Sequence, residues 1–211
     1  MKKLSLMAVL FLGIVVLMSF SRDKGTQELK LGAKAPMSDL KMKNIDGSEL
    51  SLVDAKKAKG LIVVFSCNTC PFVVGTEDFP GWEKDYNSLA KLAAEKDLGF
   101  ILVNSNEAKR TGVDSIDEMK IKAKDRGYTM PYLVDENSVL ADAFGAKTTP
   151  HVYMFNADLK LVYMGSIDNS WDSKRESDVP YLQNAMNEML NGKVSENETK
   201  PVGCSIKRAS K

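Results

Sequence analysis

Two of the three cysteines in this 211-residue chain stand three positions apart, in Cys67-Asn68-Thr69-Cys70-Pro71. The pair directly follows an apolar, β-branched run, Leu61-Ile62-Val63-Val64-Phe65. Such a run reads as a strand buried on both faces, so the thiols fall at its C-terminal end, where the chain is expected to turn into a helix. Thiolate, not thiol, is the nucleophile in disulfide exchange, and a helix N-terminus favours it through its dipole and unpaired amides. Cys67 is therefore expected at the helix N-terminus as the attacking sulfur. Cys70, one turn inside and less exposed, is expected to resolve the mixed disulfide. Environments of this type lower a thiol pKa from about 8.5 to between roughly 3.5 and 7.5.

Two other uses of the pair compete. A structural 67–70 disulfide closes too small a loop to add much stability in the chain-entropy picture. A zinc site needs two more ligands at suitable spacing, and only Cys204 and His151 are at hand. No metal and no cofactor are expected. His151 is the one histidine, and its side chain titrates near neutral pH. Following Pro150, it is an accessory candidate for stabilising the Cys67 thiolate; a strand position facing core or solvent is the plainer reading. Glu77 and Asp78 are weak candidates for a proton acceptor beside Cys70, read more simply as surface residues, and Trp82 and Trp171 read as packing residues.

The elements around the motif alternate in type. Leu40–Lys43 and Glu49–Leu52 alternate in polarity across Asp46-Gly47, a hairpin signal. After the motif, Pro80-Gly81 interrupts any helix, and Trp82, Tyr86, Leu89, Ala90 and Ala93 recur at helical spacing. Phe100–Val103 is a second buried strand. Ser115 to Lys124 is a helix with a Ser115…Glu118 capping box and Gly127 as its stop. Tyr132–Val134 reads as a short strand and Ser138–Phe144 as a short helix. His151–Phe155 and Leu159–Met164 then form an antiparallel pair, and Leu182–Leu190 the last amphipathic helix. The order predicts an α/β fold: a mixed central sheet flanked by helices, its first crossovers parallel and its last strands antiparallel. Sites in such sheets lie at the C-terminal ends of the strands, where the two thiols are.

Charge is nearly balanced, 29 basic against 28 acidic residues, with no basic stripe, so nucleic acid is not an expected partner. Met1-Lys2-Lys3, an apolar Leu4–Leu17 and Ser19-Phe20-Ser21 read as a signal peptide over 1–21. Export is expected, to a periplasm, with an uncleaved N-terminal anchor as the alternative and no other membrane contact. Residues 22–30 form a flexible lead-in, 31–192 the redox domain, and 193–211 a polar tail carrying Cys204. In an oxidising compartment three cysteines make one pair and one left over.

Several motifs together resemble the thioredoxin fold, in the branch of peroxiredoxin-like redoxins and exported thiol:disulfide oxidoreductases. Phe65 to Phe72 resembles a Cys-Asn-x-Cys-Pro signature, and Gly32-Ala33-Lys34-Ala35-Pro36 resembles a Gly-x-x-Ala-Pro opening segment. Gly203-Cys204-Ser205-Ile206-Lys207 resembles a C-terminal motif of the same subgroup. The resemblance implies disulfide exchange through Cys67 and Cys70, with Asn68 and Thr69 tuning the potential. It also implies a cis peptide at Thr149-Pro150 beside the sulfurs, with the preceding backbone free to pair with substrate; about one X-Pro bond in twenty is cis. Implied partners are protein or small-molecule disulfides and thiols, and a redox protein that donates or accepts electrons. The buried acid and the pre-motif Trp of thioredoxins proper are missing: Val64 and Ser66 stand there. Cys204 is an accessory candidate, reaching the disulfide on a folded-back tail or remaining a free thiol.

Two alternative functions remain. A thiol peroxidase with an antioxidant role needs a Thr three residues before its reactive Cys and an Arg beside it. Cys67 occupies that Thr position relative to Cys70, and the next Arg is Arg110. A metallochaperone on this fold would use a Cys pair one residue further apart.

Overall fold

The computed structural model describes residues 27–210; the expected signal segment and the first part of the lead-in lie outside them. Met42–Asn44 (β1) and Glu49–Leu50 (β2) form an antiparallel hairpin, with Gly47 at φ 90° supplying the left-handed turn position. Leu52–Ala55 (α1) starts from a Ser51–Asp54 capping box. Gly60–Ser66 (β3) and Leu98–Asn104 (β4) are buried at every position, as apolar runs at the centre of a sheet must be. Between them lie Pro71–Val74 (α2) and Tyr86–Glu95 (α3). Ile116–Arg126 (α4) begins with the Ser115 hydroxyl accepting the Glu118 N–H and ends at left-handed Gly127. Tyr132–Val134 (β5), Val139–Phe144 (α5), Thr148–Thr149 (β6), His151–Asn156 (β7) and Leu161–Gly165 (β8) follow. Tyr181–Leu190 (α6) and Cys204–Ser205 (β9) complete the chain.

Seven strands make one sheet in the order β2-β1-β5-β4-β3-β7-β8. The β3–β4 and β4–β5 pairs are parallel, while β7 and β8 run antiparallel, as expected. Side chains alternate across β3, which divides the core. Ile62 and Val64 pack with Trp82, Tyr86 and the two motif cysteines, whereas Leu61, Val63 and Phe65 pack with Phe144 and Tyr153.

The N-terminal hairpin joins the main sheet, since β1 pairs with β5 and so carries the sheet edge outward. The segment after α6 is docked on the domain. Thr199 N–H donates to the Met164 carbonyl and Ile206 N–H to the Lys147 carbonyl, both at 3.0 Å, and the Val194 and Ile206 side chains are buried. Most of these anchors are backbone hydrogen bonds, which leave no hydropathy pattern in a polar stretch. Among the described residues, no helix is long and apolar enough to cross a membrane.

Candidate active site

β3 delivers the chain to Cys67 at the C-terminal end of the sheet. The next helix starts only at Pro71, whose missing N–H is no loss at a first helical position. Cys70 is the N-cap residue, extended at φ −65°, ψ 128°. Cys67 therefore precedes the helix instead of heading it, and α2 is a single turn of four residues, too few aligned peptides for a sizeable dipole. Local donors take over that role. The Cys70 N–H points at the Cys67 sulfur from 3.3 Å, and Thr149 Oγ1 lies 3.3 Å from the same sulfur. The Cys70 Sγ is 3.1 Å from the Thr149 carbonyl oxygen. The Thr149–Pro150 peptide is cis, as expected. Both thiols are covered, with 3% of Cys67 and 5% of Cys70 exposed, so the expected difference in exposure is absent.

The two neighbouring thiols titrate as a pair. Placing the charge on Cys70 lowers that thiol to about 5, chiefly through the adjacent Cys67 thiol, and pushes Cys67 up. Hydrogen-bond geometry favours the opposite placement. The Thr149 carbonyl can only accept, so the Cys70 sulfur facing it keeps its proton. The Cys67 sulfur faces the Cys70 N–H and a hydroxyl able to donate. These contacts favour charge on Cys67 over charge on Cys70.

A polar cluster behind the motif sets its shape. Asp114, fully buried, accepts the Asn68 N–H at 2.9 Å, Asn104 Nδ2 at 2.8 Å and Asn106 Nδ2 at 3.0 Å. Asn68 in turn donates from Nδ2 to the Val113 carbonyl and accepts from the Tyr132 hydroxyl at 3.0 Å. Sequence reasoning missed Asp114, Asn104, Asn106 and Tyr132. Asp114 lies in Thr-Gly-Val-Asp-Ser, which reads as a solvated loop; the one available signal was Asn104 closing an otherwise apolar strand.

The other sequence candidates are distributed as follows. Thr69 is exposed. His151 is corrected. It opposes Phe65 across the β3–β7 pair and lies against Tyr153, ring centroids 4.5 Å apart, on the sheet face away from the cysteines. Burial pushes its pKa down to about 3, so it is a neutral core residue. Glu77 and Asp78 are exposed. Trp82 is buried and donates to Asp168 at 2.8 Å. Cys204 opposes Thr149 in the β6–β9 pair, which brings the third thiol to the other two. Among the described residues no group of three or more His, Cys, Asp or Glu is placed to hold a metal ion.

A Redoxin family profile matches residues 30–182, most of the chain. The chain belongs to the Redoxin family. Within the thioredoxin-like fold of this redoxin, a crystal structure of an uncharacterized conserved protein from Geobacillus kaustophilus is 33% identical. The match covers 86% of this chain and 94% of that one, with a TM-score of 0.75. A hypothetical protein from Sinorhizobium meliloti 1021 is 27% identical over 88% of this chain and 98% of its own, with a TM-score of 0.77. The thioredoxin domain of a thiol-disulfide oxidoreductase from Bacteroides vulgatus shares the fold at 16% identity, covering 78% of this chain and 100% of that one, TM-score 0.54. No curated protein matches the redoxin's sequence.

Proposed function

We propose that this redoxin is a thiol:disulfide oxidoreductase acting outside the cytoplasm, with Cys67 as nucleophile and Cys70 as resolving thiol. The observation that carries the reading is the pair's setting at Thr149: donors converge on Cys67, and the one neighbour of Cys70 that must accept keeps a proton there. The Cys67 thiolate attacks one sulfur of a partner disulfide and expels the other as a thiolate, leaving a mixed disulfide. Cys70 gives its proton to the departing thiolate or to water and attacks the Cys67 sulfur. The partner leaves with two more electrons, and the 67–70 disulfide holds the corresponding oxidation. Run backwards, the same steps oxidise a partner dithiol. The substrate is a protein or small-molecule disulfide or dithiol, and a second redox protein resets the pair. Export rests on the composition of residues 1–21.

A peroxidase reading is less well supported, because Arg110 is engaged elsewhere. Its guanidinium donates to the Asn104 and Asp114 carbonyls, each at 2.8 Å.

The purified protein is expected to reduce insulin and to exchange with glutathione. Failure in both assays, combined with rapid consumption of the thiols by hydrogen peroxide, would overturn the reading. Cys70→Ala should accumulate mixed disulfides at Cys67, and the division of labour fails without such adducts.

A further inference from the structure

Cys204 does not reach the sulfurs by chance of packing. β9 pairs antiparallel with β6, so Thr149 faces Cys204 and Thr148 faces Ser205. That edge belongs to the same Thr149 whose hydroxyl and carbonyl touch the other two cysteines. Gly203 makes the approach possible: a Cβ there would stand 2.2 Å from the Thr149 oxygen and 3.1 Å from the Pro150 nitrogen. Clamps hold the strand from both sides. Upstream, Ser166 Oγ donates to the Lys200 carbonyl at 2.7 Å and itself accepts the Val202 N–H at 3.3 Å. Downstream, Lys207 N–H donates to Asn106 Oδ1 at 2.8 Å, and Arg208 Nε to Asp142 at 2.6 Å. Asn106 is itself bound to Asp114, which holds the Asn68 N–H, so one network secures both the motif and the tail.

We infer that β9 is a tethered occupant of the exchange site and that Cys204 is a third exchanging thiol, paired with Cys70. The inference rests on the thiol:disulfide reading above. Burial, with Cys70 nearby, pushes the Cys204 thiol up to about 11. Cys204 waits as a thiol while Cys70 is reduced. Once the 67–70 disulfide has formed, Cys204 loses its proton to water and its sulfur attacks the Cys70 sulfur. The 67–70 bond breaks, the 70–204 bond forms, and Cys67 leaves as a thiolate. No net electrons move. Oxidation is stored at 70–204 while Cys67 regains its nucleophilic form, and an incoming chain must displace β9 to pair with the Thr148–Thr149 edge.

The test oxidises the full chain with oxidised glutathione, quenches in acid, alkylates and maps the disulfides by mass spectrometry. Cys67→Ser should form an internal 70–204 disulfide, with one oxidised glutathione reduced to two thiols per chain. Separate glutathione adducts at Cys70 and Cys204, or Cys204 recovered alkylated, would contradict the inference. Gly203→Val in that background keeps the thiol but pushes the strand off β6, and should lower the yield of the link at least about tenfold; an unchanged yield removes β9 from the account. Cys204→Ser separates the two levels. No 67–70 disulfide in that variant defeats the oxidoreductase reading itself. A 67–70 disulfide there, with no link to Cys204 in wild type at any glutathione ratio, defeats only the third thiol.

Discussion

A carbonyl oxygen accepts hydrogen bonds and cannot donate them, and at this site that asymmetry favours the proton on Cys70. With Thr149 O 3.1 Å from the Cys70 sulfur, charge on Cys70 would set two acceptors against each other, whereas charge on Cys67 meets an N–H. Limited iodoacetamide treatment of the reduced protein at pH 7, followed by peptide mapping, should label Cys67 at least about tenfold faster than Cys70, since 1.4 kcal/mol between the two placements is worth that factor. Faster labelling of Cys70 would move the charge. His151 gives a second prediction at this scale. Its folded pKa of about 3 lies below the ordinary 6.5, so the unfolded chain binds its proton first as pH falls. The stabilising contribution is complete above about pH 6.5 and declines down to about pH 3; by pH 4 the loss is on the order of 3 kcal/mol. His151→Phe should flatten the urea-midpoint profile between pH 7 and 4 by that amount. An unchanged slope would show that the imidazole is protonated in the fold.

At the scale of elements, strand β3 and the loop that leaves it were legible because unbroken apolar β-branched runs have few other uses. The helix start was misplaced by four residues' worth of geometry, because Asn68 and Thr69 turn the chain before Pro71 can begin α2. What holds them is Asp114, 46 residues beyond Asn68 and invisible to local pattern. Asp114→Ala would leave the Asn68, Asn104 and Asn106 donors buried without an acceptor, a cost of about 3 kcal/mol or more by chemical denaturation. Because the Asn68 N–H holds the loop that carries Cys67, exchange with oxidised glutathione under fully folded conditions should also slow about tenfold. Destabilisation with unaltered exchange would make Asp114 a packing residue and no more.

For the whole molecule, composition and periodicity gave the mixed sheet and its strand directions, since each buried strand announces itself locally. The third thiol's place was not legible in the same way. Its residues 193–210 are polar, and they are held by backbone pairing to β6, β8 and the loops at Asn106 and Lys147. Those partners are fixed only once the sheet is assembled. The result is a motif cysteine pair buried beneath the fold, with β9 paired along the β6 edge beside it. The proposed exchange depends above all on Cys67 and Cys70 being a reversible redox couple. Equilibrating the protein across glutathione redox buffers, quenching in acid and counting alkylated thiols by mass spectrometry tests this directly. In Cys204→Ser, where no third thiol can take over the bond, Cys67 and Cys70 should lose their thiols together in one two-electron transition that reverses on reduction. Thiols that stay alkylatable in fully oxidising buffer, or that take up glutathione singly without pairing, would contradict it.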